Sequence, residues 1–108
     1  MIDIKVRKGK KIRITVDGHA GSGEIGRDVV CAAVSTLCLT MMRAATQVKL
    51  NGFEADLQNG HAEIVCKNTA SARPYVHFLL SGFVMLAGMY PQYITLDKKN
   101  TDDVIGKE

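Results

Sequence analysis

The sequence is short of the features that mark several large classes of protein. Its three cysteines, Cys31, Cys38 and Cys66, are an odd number without a CxxC pair. They therefore predict a reduced, cytoplasmic protein and no disulfide framework. No spacing of cysteine and histidine suits a zinc site, and the glycine-rich segment lacks the Gly-Lys-Ser/Thr ending of a phosphate-binding loop. We predict no metal ion and no other cofactor.

Long apolar runs are also scarce. The N-terminus alternates apolar and polar residues and builds no apolar core of a signal peptide, so we expect none. The most apolar stretch, Tyr75 to Tyr90, is short for a membrane span and contains His77 and two glycines. We expect this stretch to form a buried helix or a subunit interface, and we expect no membrane partner.

What the chain does contain is an ordinary globular composition with unevenly distributed charge. Its 108 residues, of which 46% are hydrophobic, suffice for one domain and leave no room for a second. The net charge is only +3, yet the segment Lys5 to Arg13 holds six cations. They indicate a solvated hairpin with a lysine-protected edge, or a surface for an anionic partner such as ribosomal RNA or an acidic substrate flank. No aromatic residues interleave with them, which disfavours sequence-specific recognition of nucleic acid.

Hydrophobic periodicity predicts an α/β (α+β) domain with the element order ββαββαβ over residues 1–97. Alternating residues from Ile2 to Val16 form a hairpin, and a second hairpin turns at Asn59-Gly60. Between them, apolar residues spaced by three and four predict a helix from Asp28 to about Gln47.

The second half of the pattern completes a mixed sheet packed by two helices. Ser71 is the expected cap of the second helix, and Tyr93 to Leu96 form a short closing strand. Residues 98–108 are polar, and we expect them to be a frayed tail.

A segment between the first hairpin and the first helix contains four glycines within nine residues. Such a run excludes regular structure, so it predicts a flexible loop. The residues assigned to this loop are Gly18, Ala20, Gly21, Ser22, Gly23 and Gly26.

One cysteine lies where a nucleophile can be activated. Cys31 falls in the expected first turn of the helix that begins near Asp28, and His19 directly follows the second strand. Thiolates are favoured at helix N-termini and beside a histidine, and such junctions expose N–H groups for an oxyanion hole. The alternative is that Cys31 belongs to a buried helix face, since it starts a stripe at i, i+4, i+7 and i+11.

A longer pattern distinguishes these two interpretations. About a dozen residues in fixed order resemble the signature of the ribosomal-processing cysteine protease (Prp) family. The matching residues are Gly18-His19-Ala20, then Gly26 and Asp28, then Val30-Cys31-Ala32-Ala33-Val34-Ser35. The chain is also similar to this family in length, in element order and in its closing Tyr90 to Ile94 segment.

The resemblance implies that Cys31 is the nucleophile and His19 the general base of a cysteine endopeptidase. It also places Asp28 and Ser35 near the site with open roles. Asp28 either orients His19 or caps the helix, and Ser35 bonds either within the site or back to a helix carbonyl. Ser22 stands where the family has an aromatic residue, which bears on substrate preference rather than on chemistry.

The resemblance further implies a homodimer with a protein substrate. That substrate is the N-terminal extension of a large-subunit ribosomal protein or, in phage-borne relatives, a capsid or scaffold protein. Two other functions stay open. One is a non-catalytic ribosome- or RNA-binding module that uses the basic hairpin from Lys5 to Arg13, and the other is a redox-sensing thiol protein.

Overall fold

The computed structural model describes residues 1–18 and 25–106, and for residues 25–28 it describes the backbone alone. Five strands and three helices alternate along the chain. The strands are β1 (Ile2–Lys8), β2 (Lys11–Asp17), β3 (Glu54–Gln58), β4 (His61–Lys67) and β5 (Ile94–Leu96). The helices are α1 (Ile25–Gln47), α2 (Arg73–Met89) and α3 (Lys98–Ile105).

All five strands belong to one mixed sheet with the order β3-β4-β2-β1-β5. Neighbouring strands are antiparallel except β1 and β5, which run parallel with Ile2 opposite Ile94. Both predicted hairpins form, and β4 joins them by pairing with β2. The predicted class, an α+β domain with a mixed sheet, is confirmed.

Alternation along the strands makes one face of the sheet apolar and the other polar. Ile4 and the cross-strand partners Ile14 and Ile64 are buried in a single core, whereas Lys5 and Arg13 are exposed on the opposite face. Because successive side chains of a strand point to opposite faces, this alternation determines which side the helices cover.

Helices α1 and α2 contribute the rest of that core and pack against each other. Gly82 of α2 lies against Leu37 of α1, where an added Cβ would come within 2.8 Å of a leucine methyl carbon. A larger residue at this position would require the Leu37 side chain to shift. The buried residues of the two helices are Val30, Val34, Cys38, Met41, Ala45, Val76, Leu79, Leu80, Phe83 and Leu86.

The frayed tail expected over residues 98–108 is wrong for residues 98–105, which form α3. The Asp97 side chain caps this helix by accepting a hydrogen bond from the Asn100 N–H at 3.3 Å. Thr101 is fully buried, and Val104 and Ile105 pack against the core. The prediction failed because this helix is mostly polar, and its two apolar residues, Val104 and Ile105, both face the core.

The predicted cap of the second helix is also wrong. The N-cap position belongs to Ala72, which makes no side-chain capping bond, so Ser71 lies just outside the helix. The Thr69 hydroxyl accepts the Ala72 N–H instead, at 3.2 Å. The chain thus enters α2 through a turn closed by the Thr69 side chain, and not through a side-chain cap at the N-cap residue itself.

Helix α1, rather than the Tyr75–Tyr90 stretch, holds the segment best suited to cross a membrane. Val29–Gln47 is long and apolar enough by length and composition, and 28% of it is buried inside the molecule. A core helix passes the same test, and α1 contributes a continuous buried stripe to the core. Length and composition alone therefore assign no membrane span here, and the absence of a membrane partner stays a prediction.

Candidate active site

Helix α1 begins at Ile25, three residues before the predicted start at Asp28. Cys31 is therefore the seventh residue of the helix and lies in its second turn, not in its first. The favourable electrostatic effect of a helix N-terminus fades within the first turn. The helix N-terminus therefore offers this thiol little electrostatic stabilisation.

Cys31 lines a cavity of about 430 Å³ between α1 and the β3–β4 hairpin. One wall consists of residues spaced along α1, and the facing wall is the turn that joins β3 to β4. The described residues of the α1 wall are Cys31, Val34, Ser35, Cys38 and Leu39. The facing wall consists of Leu57, Gln58, Asn59, Gly60, His61 and Ala62, and Ile2, Val16 and Gly18 complete the lining.

The three cysteines have different surroundings, and no disulfide joins them. Cys31 is half-buried at the cavity, whereas Cys38 and Cys66 are buried in the core. Burial raises the pKa of the Cys38 thiol to about 11 and also raises the pKa of Cys66. These two thiols are protonated at neutral pH and are poor nucleophiles, in agreement with their predicted role as core residues.

Gly18 determines how the chain leaves β2 toward His19. Its N–H donates to the Gly60 carbonyl at 3.0 Å, and its φ of 115° is in the region that favours glycine. A Cβ at this position would overlap the carbonyl oxygen of Met1. The residue immediately before His19 is thus fixed at the edge of the cavity.

Most of the predicted loop lies outside the described residues. His19, Ala20, Gly21, Ser22 and Gly23 belong to the part that the structure leaves undescribed, so the general base and the flexible loop stay predictions. Gly26 is different, because its backbone lies in the first turn of α1. Its assignment to the loop is wrong, since the helix starts before the run of glycines has ended.

The two predicted supporting residues, Asp28 and Ser35, lie about two turns apart on α1, on either side of Cys31 in sequence. Ser35 lines the cavity one turn after Cys31, and its hydroxyl forms no hydrogen bond with the described residues. The neighbouring Thr36 hydroxyl, by contrast, donates to the Ala32 carbonyl at 2.7 Å. Both roles of Ser35 stay predictions. Asp28 lies in the first turn, and with its side chain undescribed both of its roles remain open.

A second imidazole borders the cavity, and sequence reasoning considered it only as an unsuitable metal ligand. His61 begins β4 directly opposite Asp17, and its Nδ1 shares a short hydrogen bond with an Asp17 carboxylate oxygen. This hydrogen bond is the main reason why the pKa of His61 is raised above its ordinary value. The proximity of His61 and Asp17 follows from the register of β2 against β4, which the sequence alone does not show.

A family comparison decides the chemistry of the site. The family model described as cysteine protease Prp matches residues 1–95. The chain belongs to the cysteine protease Prp family. It is therefore a cysteine protease, and the two alternatives without peptidase activity, an RNA-binding module and a redox-sensing thiol protein, are wrong. A comparison with curated proteins gives no significant match.

Solved structures of Prp proteases share the fold. The ribosomal processing protease Prp from S. aureus, in complex with a covalently linked product peptide, is 26% identical with a TM-score of 0.70. The match covers 89% of this chain and 97% of that one. The same protease with a substrate peptide has a TM-score of 0.73 at 24% identity, covers 89% and 95% of the two chains, and supports the fold alone.

A third structure extends the likeness to another organism. SMU.848 from Streptococcus mutans is 28% identical, with a TM-score of 0.71 and coverage of 89% of this chain and 91% of that one. Within the described part of this Prp protease, no group of three or more His, Cys, Asp or Glu side chains could hold a metal ion. The absence of a metal ion and of any other cofactor stays a prediction.

Proposed function

We propose that this Prp protease removes a short N-terminal extension from a large-subunit ribosomal protein, with Cys31 as nucleophile and His19 as general base. The observation that carries the proposal is the position of Cys31, the one half-exposed thiol of three, at a cavity between α1 and the β3–β4 hairpin. The S. aureus relative, described as a ribosomal processing protease and captured with a covalently linked product peptide, supports the same chemistry.

The reaction is an acyl transfer in two steps. The Cys31 thiolate attacks the scissile carbonyl carbon, and the departing amine takes a proton from His19 as the C–N bond breaks. Water then attacks the thioester, with His19 accepting its proton, and the thiolate leaves as the carboxylate product forms. Support for His19 comes from the residue before it, because Gly18 lines this cavity and donates to the Gly60 carbonyl at 3.0 Å.

The walls of the cavity suit a peptide. Val34 and Leu39 on one side and Leu57 on the other offer apolar contacts, while Gln58 and Asn59 offer hydrogen-bonding groups. Apolar walls with a few polar groups are typical of binding clefts of this size. A phage capsid or scaffold protein is the alternative substrate and would use the same thiol chemistry.

Cleavage of a defined substrate tests the proposal. Full-length large-subunit ribosomal protein with its N-terminal extension is incubated with the protease, and the new N-terminus is read by mass spectrometry. We expect one cut that is abolished by Cys31→Ser and by His19→Ala, and no loss with the buried control Cys66→Ala beyond its effect on stability. Cleavage by Cys31→Ser at the wild-type rate would contradict the proposal, and cleavage of a phage capsid protein alone would favour the alternative.

We also propose that the active species is a cytoplasmic homodimer formed through α2. Phe78, Met85 and Met89 lie at i, i+7 and i+11 on this helix and are 75%, 59% and 58% exposed. Phe78 also borders an apolar groove of about 360 Å³ between α1 and α2. Such a stripe is large for a monomer surface, and two copies related by a two-fold axis would cover each other's stripe.

A further inference from the structure

Cations from three separate parts of the chain come together at the end of the sheet opposite Cys31. Lys11 of β2 lies directly across from Lys67 of β4. The Asn68 N–H donates to the Lys10 carbonyl at 2.9 Å, and its Oδ1 accepts from Arg73 Nε at 3.3 Å. Asn68 therefore holds the β1–β2 turn against the start of α2. We name this surface the basic pole, and its cations are Lys8, Lys10, Lys11, Lys67 and Arg73.

The cations of the basic pole lack ion-pair partners among the described residues. Its five cations are exposed, and within residues 1–18 and 25–106 none of them forms an ion pair. Lys8 Nζ donates to a neutral acceptor, the Asp103 backbone carbonyl, at 3.0 Å. The nearest ion pair on the same sheet face, Arg13 with Glu63 at 2.9 Å, lies farther along β2.

Like charges also face each other across the strands. Lys11 opposes Lys67, and Arg7 opposes Arg13. Directly opposed like charges destabilise a sheet. Arg13 is already paired with Glu63, but the Lys11–Lys67 pair has no such partner among the described residues, so a polyanion bound at the pole would relieve its repulsion.

The position of the pole distinguishes an acidic substrate flank from a separate partner. The seven residues of β2 place Lys11 about 20 Å from the cavity end of the strand. That end carries the carboxylates of Asp3, Asp17 and Glu63. Lys11 and these carboxylates lie on the polar face of the sheet, whereas Cys31 belongs to α1, which packs on the apolar face. A peptide held at Cys31 is therefore on the other side of the sheet, so the placement of the pole favours a partner that binds independently of the active site.

We propose that the basic pole binds the phosphate backbone of RNA. Its cations are spread over a surface wide enough for several phosphates, and it contains no aromatic side chain on which a base could stack. Binding is therefore electrostatic, tolerant of sequence and strongly dependent on salt. A protease that binds RNA in this way would concentrate on ribosomal particles, where RNA surrounds the protein substrate.

Fluorescence anisotropy with a labelled 20-nucleotide uridine oligonucleotide tests this surface. With five phosphate contacts on a single strand, we expect the affinity to fall about 100-fold between 50 and 200 mM KCl. Replacing Lys10, Lys11 and Lys67 by Gln should weaken binding at least tenfold at 50 mM KCl. It should also lower the slope of log affinity against log salt by about 2.

A matched variant controls for net charge. Replacing Arg43, Lys98 and Lys99 by Gln removes the same charge from exposed sites outside the pole and should change the affinity less than threefold. Equal weakening by both triple variants would overturn the proposal, as would the absence of binding at 50 mM KCl. Displacement of the RNA by polyglutamate at equal charge concentration would also overturn it, because the pole would then suit an acidic protein. Cleavage of a short uncharged peptide, unchanged in both variants, reports separately on the protease.

Discussion

At the scale of single residues, Gly18 connects the fold most directly with the proposed chemistry. Its positive φ and its close approach to Met1 exclude a side chain, and it is followed by His19. We expect Gly18→Ala to lower kcat/KM at least tenfold by shifting the imidazole, and to cost about 1–3 kcal/mol of stability. Steady-state cleavage and urea unfolding measure the two effects.

Gly88→Ala is the matched control for this substitution. Gly88 lies in α2, and nothing approaches within 4 Å of the position that its Cβ would occupy. Alanine there should stabilise the protein by about 0.5–1 kcal/mol and leave the cleavage rate unchanged. A Gly18→Ala enzyme as active as this control would show that the geometry before His19 is not critical.

The pair of His61 and Asp17 makes a prediction about pH. The hydrogen bond raises the pKa of His61, so the fold favours the protonated imidazole. The pair's contribution to stability is therefore complete below the unfolded pKa of about 6.5 and disappears as the pH rises through the raised folded value. In NMR titrations, the His61 midpoint should lie above about 6.5 and should fall in Asp17→Asn. An unchanged midpoint in this variant would exclude the hydrogen bond as the cause.

At the scale of elements, strands were easier to predict than helix ends. Alternation from Ile2 to Val16 is a local pattern, and it identified β1 and β2. Helix starts depended on tertiary structure, because α1 extends back through Gly26 and α2 starts without a capping side chain. Helix α3 was missed because the burial of Thr101 depends on packing that no local pattern reveals.

The N-cap of α3 gives a test at this scale. A hydrogen bond from the Asn100 side chain is the main reason why the pKa of Asp97 is lowered. The contribution of this hydrogen bond to stability is therefore present at pH 7, and it is lost as the pH falls through the lowered pKa of Asp97 in the folded state. We expect Asp97→Ala to cost about 1 kcal/mol at neutral pH and less at pH 3, measured by urea unfolding. Asp103→Ala, at an exposed position within α3, should change stability little, and an equal loss in both variants would contradict the capping role.

At the scale of the whole molecule, the site joins parts of the chain that are distant in sequence. The dense motif around Cys31 is contiguous in sequence, and it predicts the α1 wall of the cavity. The facing wall, from Leu57 to Ala62, carries no motif and reaches the site only because β4 pairs with β2. The convergence of Lys67 and Arg73 with the basic hairpin has the same origin. Sequence patterns thus predict the reactive cysteine, whereas the order of the strands determines which other residues line its cavity.

The proposed dimer is a property of the whole surface and can be measured directly. Phe78→Asp places a charge at the most exposed residue of the α2 stripe, so sedimentation velocity at micromolar concentration should show a dimer for wild type and a monomer for the variant. Val48→Asp alters another exposed apolar residue, outside the stripe, and should remain dimeric. Dissociation by both variants, or a monomeric wild type, would contradict the proposed interface.

The central claim is that Cys31, activated by His19, is the reactive thiol of this Prp protease. The most direct measurement is the rate of iodoacetamide labelling at pH 7, followed by peptide mapping, in wild type, His19→Ala and His61→Ala. We predict that Cys31 is labelled at least 100-fold faster than Cys38 and Cys66, and that His19→Ala alone removes most of this advantage. Labelling of Cys31 no faster than the two buried cysteines, or slowed by His61→Ala and not by His19→Ala, would contradict the account.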